Sequence, residues 1–179
     1  MPPEMIVAAV HPGQTVMVLG AGGGVGLAAV DVAVRLGATV VAAASSAEKL
    51  QAAAEAGATV LVDNSADDLR THFKQCVPGG VDVVLDPVGG RWAEPALRLL
   101  RPGGRFVTVG FASGEIPSIP INLVLLKAIA IVGFEFRSFV AGHTEEFVRN
   151  RAEMYDDLAN GRLHPRVSAV YPLARSSYI

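Results

Sequence analysis

The chain has 179 residues, a formal net charge of −2, a pI near 6.1 and a single cysteine, Cys76. Apolar residues make up 51%, charged residues only 18%, and the mean hydropathy is +0.40. Such a chain lacks the basic footprint of a nucleic-acid binder, has no partner for a disulfide or cysteine-rich zinc site, and suffices for one core rather than two.

No apolar run reaches the roughly 18 residues of a membrane span, and Met1–Met5 lacks the basic segment of a secretory signal. The expectation is a single cytoplasmic domain over residues 1–179, without membrane or nucleic-acid partners. In chain order, Thr15–Gly20 reads as the first strand, Gly24–Leu36 as a helix and Thr39–Ala44 as the second strand. Ala47–Ala56 is a helix ended by Gly57, Thr59–Val62 a short third strand, and Asp67–Cys76 a helix before Pro78-Gly79-Gly80. Val81–Leu85 is the fourth strand, Arg91–Leu100 a helix and Arg105–Gly110 the fifth strand. A turn-rich loop, Phe111 to Pro120, leads to a short apolar helix at Asn122–Lys127. Ile129–Phe136 is the sixth strand and Glu145–Leu158 an amphipathic helix stopped by Gly161. Apolar strands alternating with helical crossovers predict an α/β fold: a Rossmann, doubly wound six-stranded parallel sheet of order 3-2-1-4-5-6. Its ligand crevice opens where strands one and four diverge.

The first strand runs into Gly20-Ala21-Gly22-Gly23-Gly24-Val25-Gly26, five glycines within seven residues, and then into a helical pattern. Strand, tight turn and helix form the geometry in which bare backbone approaches a pyrophosphate at a helix N-terminus. A Cβ there would hold the phosphate away and forbid positive φ. Glycine-rich turns also serve plain strand–helix packing, but the second strand one βαβ unit later favours the dinucleotide reading.

The tip of strand two bears on the nucleotide. Sheets that prefer NAD place Asp or Glu about 20 residues past the glycines, on the ribose 2′-hydroxyl. Here Ala42-Ala43-Ala44 is followed by Ser45-Ser46-Ala47-Glu48-Lys49, with no carboxylate to repel a 2′-phosphate. Ser45, Ser46 and Lys49 lie within reach of one, so NADP(H) is expected. Ser45-x-x-Glu48 also reads as a capping box, and both roles are compatible. Strand four ends in Asp86-Pro87-Val88-Gly89-Gly90, a turn at the switch point that either lines a ligand or only starts a helix. Leu99–Val107 would also suit a methyltransferase using S-adenosylmethionine, though such folds usually want an acid at the tip of strand two.

Taken together, these segments resemble the quinone oxidoreductase branch of the medium-chain dehydrogenase/reductase (zinc-type alcohol dehydrogenase-like) family. The matching text is Pro12–Val16, Gly20–Ala29, Ala43–Ser46 with Glu48-Lys49-Leu50, Gly57-Ala58, Val81–Val84, Asp86–Gly90, and Gly103–Arg105 through Val109–Pro117. The resemblance runs from about Pro12 to Leu173. It implies NADPH-dependent reductases that move hydride to quinones, enones or related carbonyls, with the cofactor between this domain and a separate catalytic domain. It places the Gly23-Gly24-Val25-Gly26 turn on the pyrophosphate and Ser45 and Lys49 on the 2′-phosphate. Val88 and Gly110-Phe111 would flank the ribose and nicotinamide, and the Val132-Gly133-Phe134 backbone would meet the carboxamide.

Family members often carry Ala where Gly20 stands, a change expected to matter little. They often carry a Tyr near the end of strand three, where this chain has Val62-Asp63-Asn64. Only Met1–His11 precede the motif, so the catalytic half is expected to be absent. Val167–Leu173 looks like the strand leading back towards it, and the family pattern stops within Ala174–Ile179. Candidate chemistry is thin. His11, His72, His143 and His164 have no metal-ligand spacing and read as surface residues, and no zinc is expected. Glu145-Glu146 suits a helix start, and Ser113 lacks the elbow and partners of a nucleophile. No residue is nominated as catalytic. The alternative is a non-catalytic dinucleotide-binding or dimerising module. An apolar sixth strand at the sheet edge, together with the resemblance, implies a homodimer through residues 129–136.

Overall fold

The computed structural model describes residues 8–167 and 169–172. Six parallel strands run β1 Thr15–Leu19, β2 Thr39–Ala44, β3 Val60–Asp63, β4 Val81–Asp86, β5 Leu100–Thr108 and β6 Ala130–Gly133. They lie in the expected order, β3-β2-β1-β4-β5-β6. The helices are α1 Gly24–Arg35, α2 Ala47–Glu55, α3 Leu69–Cys76, α4 Ala93–Arg98, α5 Asn122–Lys127, α6 Phe136–Gly142 and α7 Thr144–Ala159.

Period-two alternation divides the strand side chains between two buried layers. Val16, Val18, Val40, Val83 and Leu85 face α1, α2, α6 and α7, meeting Val30, Ala33, Ala53 and Phe139. Met17, Leu19, Val41, Val84 and Phe106 face the other side, meeting Phe73, Ala96, Leu97 and Leu123 of α3, α4 and α5. Both faces are covered, which is why the strands read as unbroken apolar runs.

Four expectations need correction. First, the fifth strand begins at Leu100, five residues early. Leu100 pairs with Val81, the register then slips, and Arg105 pairs with Val83. Gly103, at φ +80°, lies in the slipped stretch. The preceding helix is correspondingly short: a 3₁₀ turn at Gly90–Trp92 and then α4. Second, the sixth strand stops at Gly133. Phe134-Glu135-Phe136 alternates like a strand, but the Glu135 carboxylate accepts hydrogen bonds from Arg137 N (3.0 Å) and Ser138 N (2.6 Å) and so starts α6. Third, Ser46 rather than Ser45 caps α2, its hydroxyl accepting from Lys49 N at 3.4 Å. Fourth, Val167 and residues 169–172 form no strand; Leu173 and the Ala174–Ile179 stretch lie outside the described residues, as do Met1–Val7.

The end of α7 is tied back to α1 by charge. Asp157 is 2% exposed and meets both Arg35 (2.5 Å) and Arg162 (2.6 Å). Burial opposes its ionisation, but the two guanidiniums outweigh this and hold its carboxyl below the usual range. Beyond it, His164 N donates to Asp31 at 2.6 Å.

Candidate functional site

The C-terminal ends of β2, β1, β4, β5 and β6 share one edge of the sheet, and most of the residues singled out above come to it. Gly20, at φ +61°, turns the chain out of β1. A Cβ there would fall 2.5 Å from Val88 Cγ2, so Ala at this position is not the innocuous change the resemblance suggested. Gly26 is buried because α1 presses on the turn: a Cβ would lie 2.1 Å from Gly20 O and 2.8 Å from Ala21 Cα. Between them Gly23, Gly24 and Val25 are exposed.

The N-terminus of α1 carries no side-chain cap and no acidic residue in its first turn. Elsewhere Ser46, Asp68 and Glu135 cap α2, α3 and α6. The N–H groups of exposed Gly24 and Val25 are therefore left without a side-chain acceptor at the positive end of the helix dipole, as an anion requires. Lys49 stands beside this turn. A Cβ on Gly22 would fall 2.4 Å from Lys49 Cβ and 2.7 Å from its Cγ, so the missing side chain admits the lysine stem. Ser45 is exposed at the β2 tip, Ser46 half-buried. Asn64 does not occupy the rim as a Tyr would. It is 5% exposed, donates its N–H to Ala44 O (3.0 Å) and accepts from Trp92 Nε1 (2.9 Å), and so belongs to the wall.

Asp86 ends β4, fully buried. Its Oδ1 accepts from Val88 N and Gly89 N, both at 2.8 Å, and forms the turn over Gly20. Burial pushes this carboxyl up, and the Gly89 and Val88 N–H groups offset only part of the rise.

Beyond β5 and β6 lies a cavity of about 690 Å³, lined by Gly110, Phe111, Gly133 and Phe134 together with Glu135, Ser138 and His143. Gly110, Phe111 and Phe134 are thus brought together, whereas Val132 lies one step back in the ladder opposite Val107. Sequence reading missed Glu135, Ser138 and His143, because the over-long sixth strand hid α6; the acid two residues past Gly133 was the available signal. His143 stacks on Phe139 with ring centroids 5.1 Å apart. His72 is half-buried rather than on the surface, its Nε2 3.8 Å from Cys76 Sγ. Among the described residues no group of three or more His, Cys, Asp or Glu could hold a metal ion, and no helix is long and apolar enough to cross a membrane.

Residues 24–153 match the family described as zinc-binding dehydrogenase. The chain belongs to this family, as its cofactor-binding part, in the quinone oxidoreductase branch of the medium-chain dehydrogenases/reductases. It is 40% identical over 168 residues to quinone oxidoreductase-like protein 2 of Bos taurus, covering 93% of this chain and 48% of that one. The chain spans about half the length of the curated relatives it matches. Among solved structures, a mycobacterial protein complexed with NADPH superposes with a TM-score of 0.83 at 30% identity, covering 94% of this chain and 52% of that one. The Escherichia coli quinone oxidoreductase complexed with NADPH gives 0.78 at 27% identity, covering 89% and 49%.

Proposed function

We propose that the chain is the NADP(H)-binding part of a reductase that delivers hydride to quinones, enones or related carbonyl electrophiles. The observation that carries this reading is the uncapped, acid-free N-terminus of α1 with the Lys49 stem seated on Gly22. Two of the structures it resembles are NADPH complexes, one of them a quinone oxidoreductase, and its relatives include quinone oxidoreductase-like protein 2. When bound, the nicotinamide supplies the hydride. The chain's own residues do the holding. Backbone N–H groups of Gly24 and Val25 take the pyrophosphate beside Gly23, whose own N–H is already given to Gly20 O at 3.0 Å, while Ser45, Ser46 and Lys49 take the 2′-phosphate. Val88, Gly110 and Phe111 flank the nicotinamide riboside, and the Val132–Phe134 backbone meets the carboxamide.

The test combines titration of NADPH fluorescence with NADPH oxidation by a simple benzoquinone. Saturable binding is expected, without useful turnover by this chain alone. Holding an acceptor at attack distance is worth about 7–11 kcal/mol, and in this reading a catalytic domain does it. Absence of saturable binding overturns the proposal. Robust turnover would show that the chain orients the acceptor unaided.

The same reading includes a homodimer through β6. This strand pairs with β5 on one side, and Ile131 is 39% exposed on it. Nearby in sequence, Ile121, Leu125 and Leu126 of the α5 segment are 73–82% exposed. Pairing of two such edges would bury both features in a continuous sheet. Sedimentation at tens of micromolar is expected to give a dimer that Ile131→Lys converts to a folded monomer; a monomeric unmodified chain overturns it.

A further inference from the structure

Ser113 lacks the partners of a nucleophile, yet its hydroxyl, on an exposed residue, both donates and accepts within the fold. The loops that follow β4 and β5 lie side by side at the mouth of the crevice, and Ser113 fastens them. Its N–H (3.0 Å) and its Oγ (2.8 Å) both donate to Val88 O, and Oγ accepts from Glu115 N at 3.2 Å. Ala112 N donates to Pro87 O (3.1 Å) and Gly90 N to Glu115 O (3.0 Å). Asp86 gathers the other side. Besides Val88 and Gly89 on its carboxylate, its main-chain oxygen accepts from Val109 N at 2.8 Å and Gly110 N at 3.4 Å.

Two left-handed glycines let the loops interlock. Gly89 and Gly90 have φ of +69° and +61°. A Cβ on Gly89 would fall 2.8 Å from Phe111 Cδ1, and one on Gly90 would fall 2.9 Å from Ser113 Oγ. The Phe111 ring and the Ser113 hydroxyl thus fill spaces that only glycine leaves. One clasp thereby fixes Val88, which covers Gly20, and Phe111, which lines the cavity.

We propose that Ser113 is a positioning residue: acting through Val88 and Phe111, it sets the wall against which the nicotinamide half of a dinucleotide lies, and leaves the adenosine half untouched. This rests on the nucleotide reading above. The test uses the full chain and three ligands: NADPH, adenosine 2′,5′-bisphosphate and reduced nicotinamide mononucleotide. Ser113→Ala is expected to weaken NADPH and the mononucleotide about three- to tenfold, the worth of one hydrogen bond, with the bisphosphate unchanged. Gly90→Ala, which pushes on the hydroxyl from the other side, is expected to give the same selective loss. Equal weakening of all three ligands would make the clasp a general stability element and overturn the inference. So would unchanged NADPH affinity in a folded variant that has lost the hydroxyl. If the unmodified chain binds neither NADPH nor the bisphosphate, the nucleotide reading itself has failed, and the inference falls with it.

Discussion

Alanine at Gly26 is expected to cost the fold, whereas alanine at Gly24, two residues earlier, is expected to cost only the ligand. At Gly26 the added carbon meets main chain, Gly20 O at 2.1 Å and Ala21 Cα at 2.8 Å, so no rotamer change can make room. Helix α1 must move off β1. Overpacking usually costs about 1–3 kcal/mol, and an obstacle made of backbone belongs at the top of that range or above it. With a shift of roughly 2–4 °C per kcal/mol at this size, the melting temperature should fall by on the order of 10 °C. At Gly24 a Cβ meets nothing within 4 Å, and the residue opens a helix. Alanine there should hold or raise stability, by up to about 1 kcal/mol. Its methyl would stand where a phosphate has to approach the α1 N–H groups, and NADPH affinity should fall tenfold or more. Thermal melting and NADPH titration of both variants separate the two effects. A Gly24→Ala chain that binds like the unmodified one would remove the phosphate from the end of α1.

Cofactor choice should be equally easy to shift. NADPH is expected to bind roughly tenfold or more tightly than NADH, a difference of about 1.4 kcal/mol. Hydrogen bonds to a charged group contribute about 1.5–3 kcal/mol, which solvent at this rim reduces. Lys49 Cβ and Cγ lie against the glycine turn, so the base of this exposed side chain starts on the rim within reach of a 2′-phosphate. Lys49→Ala should erase most of the preference and leave NADH affinity nearly unchanged. Ala44→Asp should reverse it. Ala44 is 2% exposed at the tip of β2, so a carboxylate there is hydrated only by facing the crevice, where it repels a 2′-phosphate and accepts from a 2′-hydroxyl. Titration of the three chains with both cofactors at fixed salt is the measurement. Equal affinities in the unmodified chain, or a Lys49→Ala change that weakens both alike, would reduce Ser46 and Lys49 to helix capping and solvation.

The strand order and the glycine turn were legible in sequence because both follow from local rules. Buried parallel strands give continuous apolar runs, and a phosphate-accommodating turn needs glycines at set distances from a strand and a helix. What escaped was decided by single hydrogen bonds or by tertiary register. Glu135 starts α6 with one carboxylate, and the one sign of it in the sequence, an acid two residues past Gly133, fits an outward-facing strand residue equally well. Leu100 joins β5 only because Val81 is opposite, five residues before the continuous pairing begins at Arg105. The tightness at Gly20 was invisible because its neighbour, Val88, comes from a distant turn. The same holds for Ser113, whose hydroxyl finds its acceptor 25 residues away.

The interlocked glycines have a consequence for how any ligand seated along this edge is bound. Gly20, Gly22, Gly26, Gly89 and Gly90 are the residues with most freedom to lose, and each is already pinned by a neighbour closer than a side chain would allow. Their conformational entropy is surrendered when the chain folds, so little of it remains to be surrendered on association. A surface settled in advance captures its ligand without waiting for a rearrangement. Differences in affinity among variants that keep the fold should therefore lie in how fast the ligand leaves rather than in how fast it arrives.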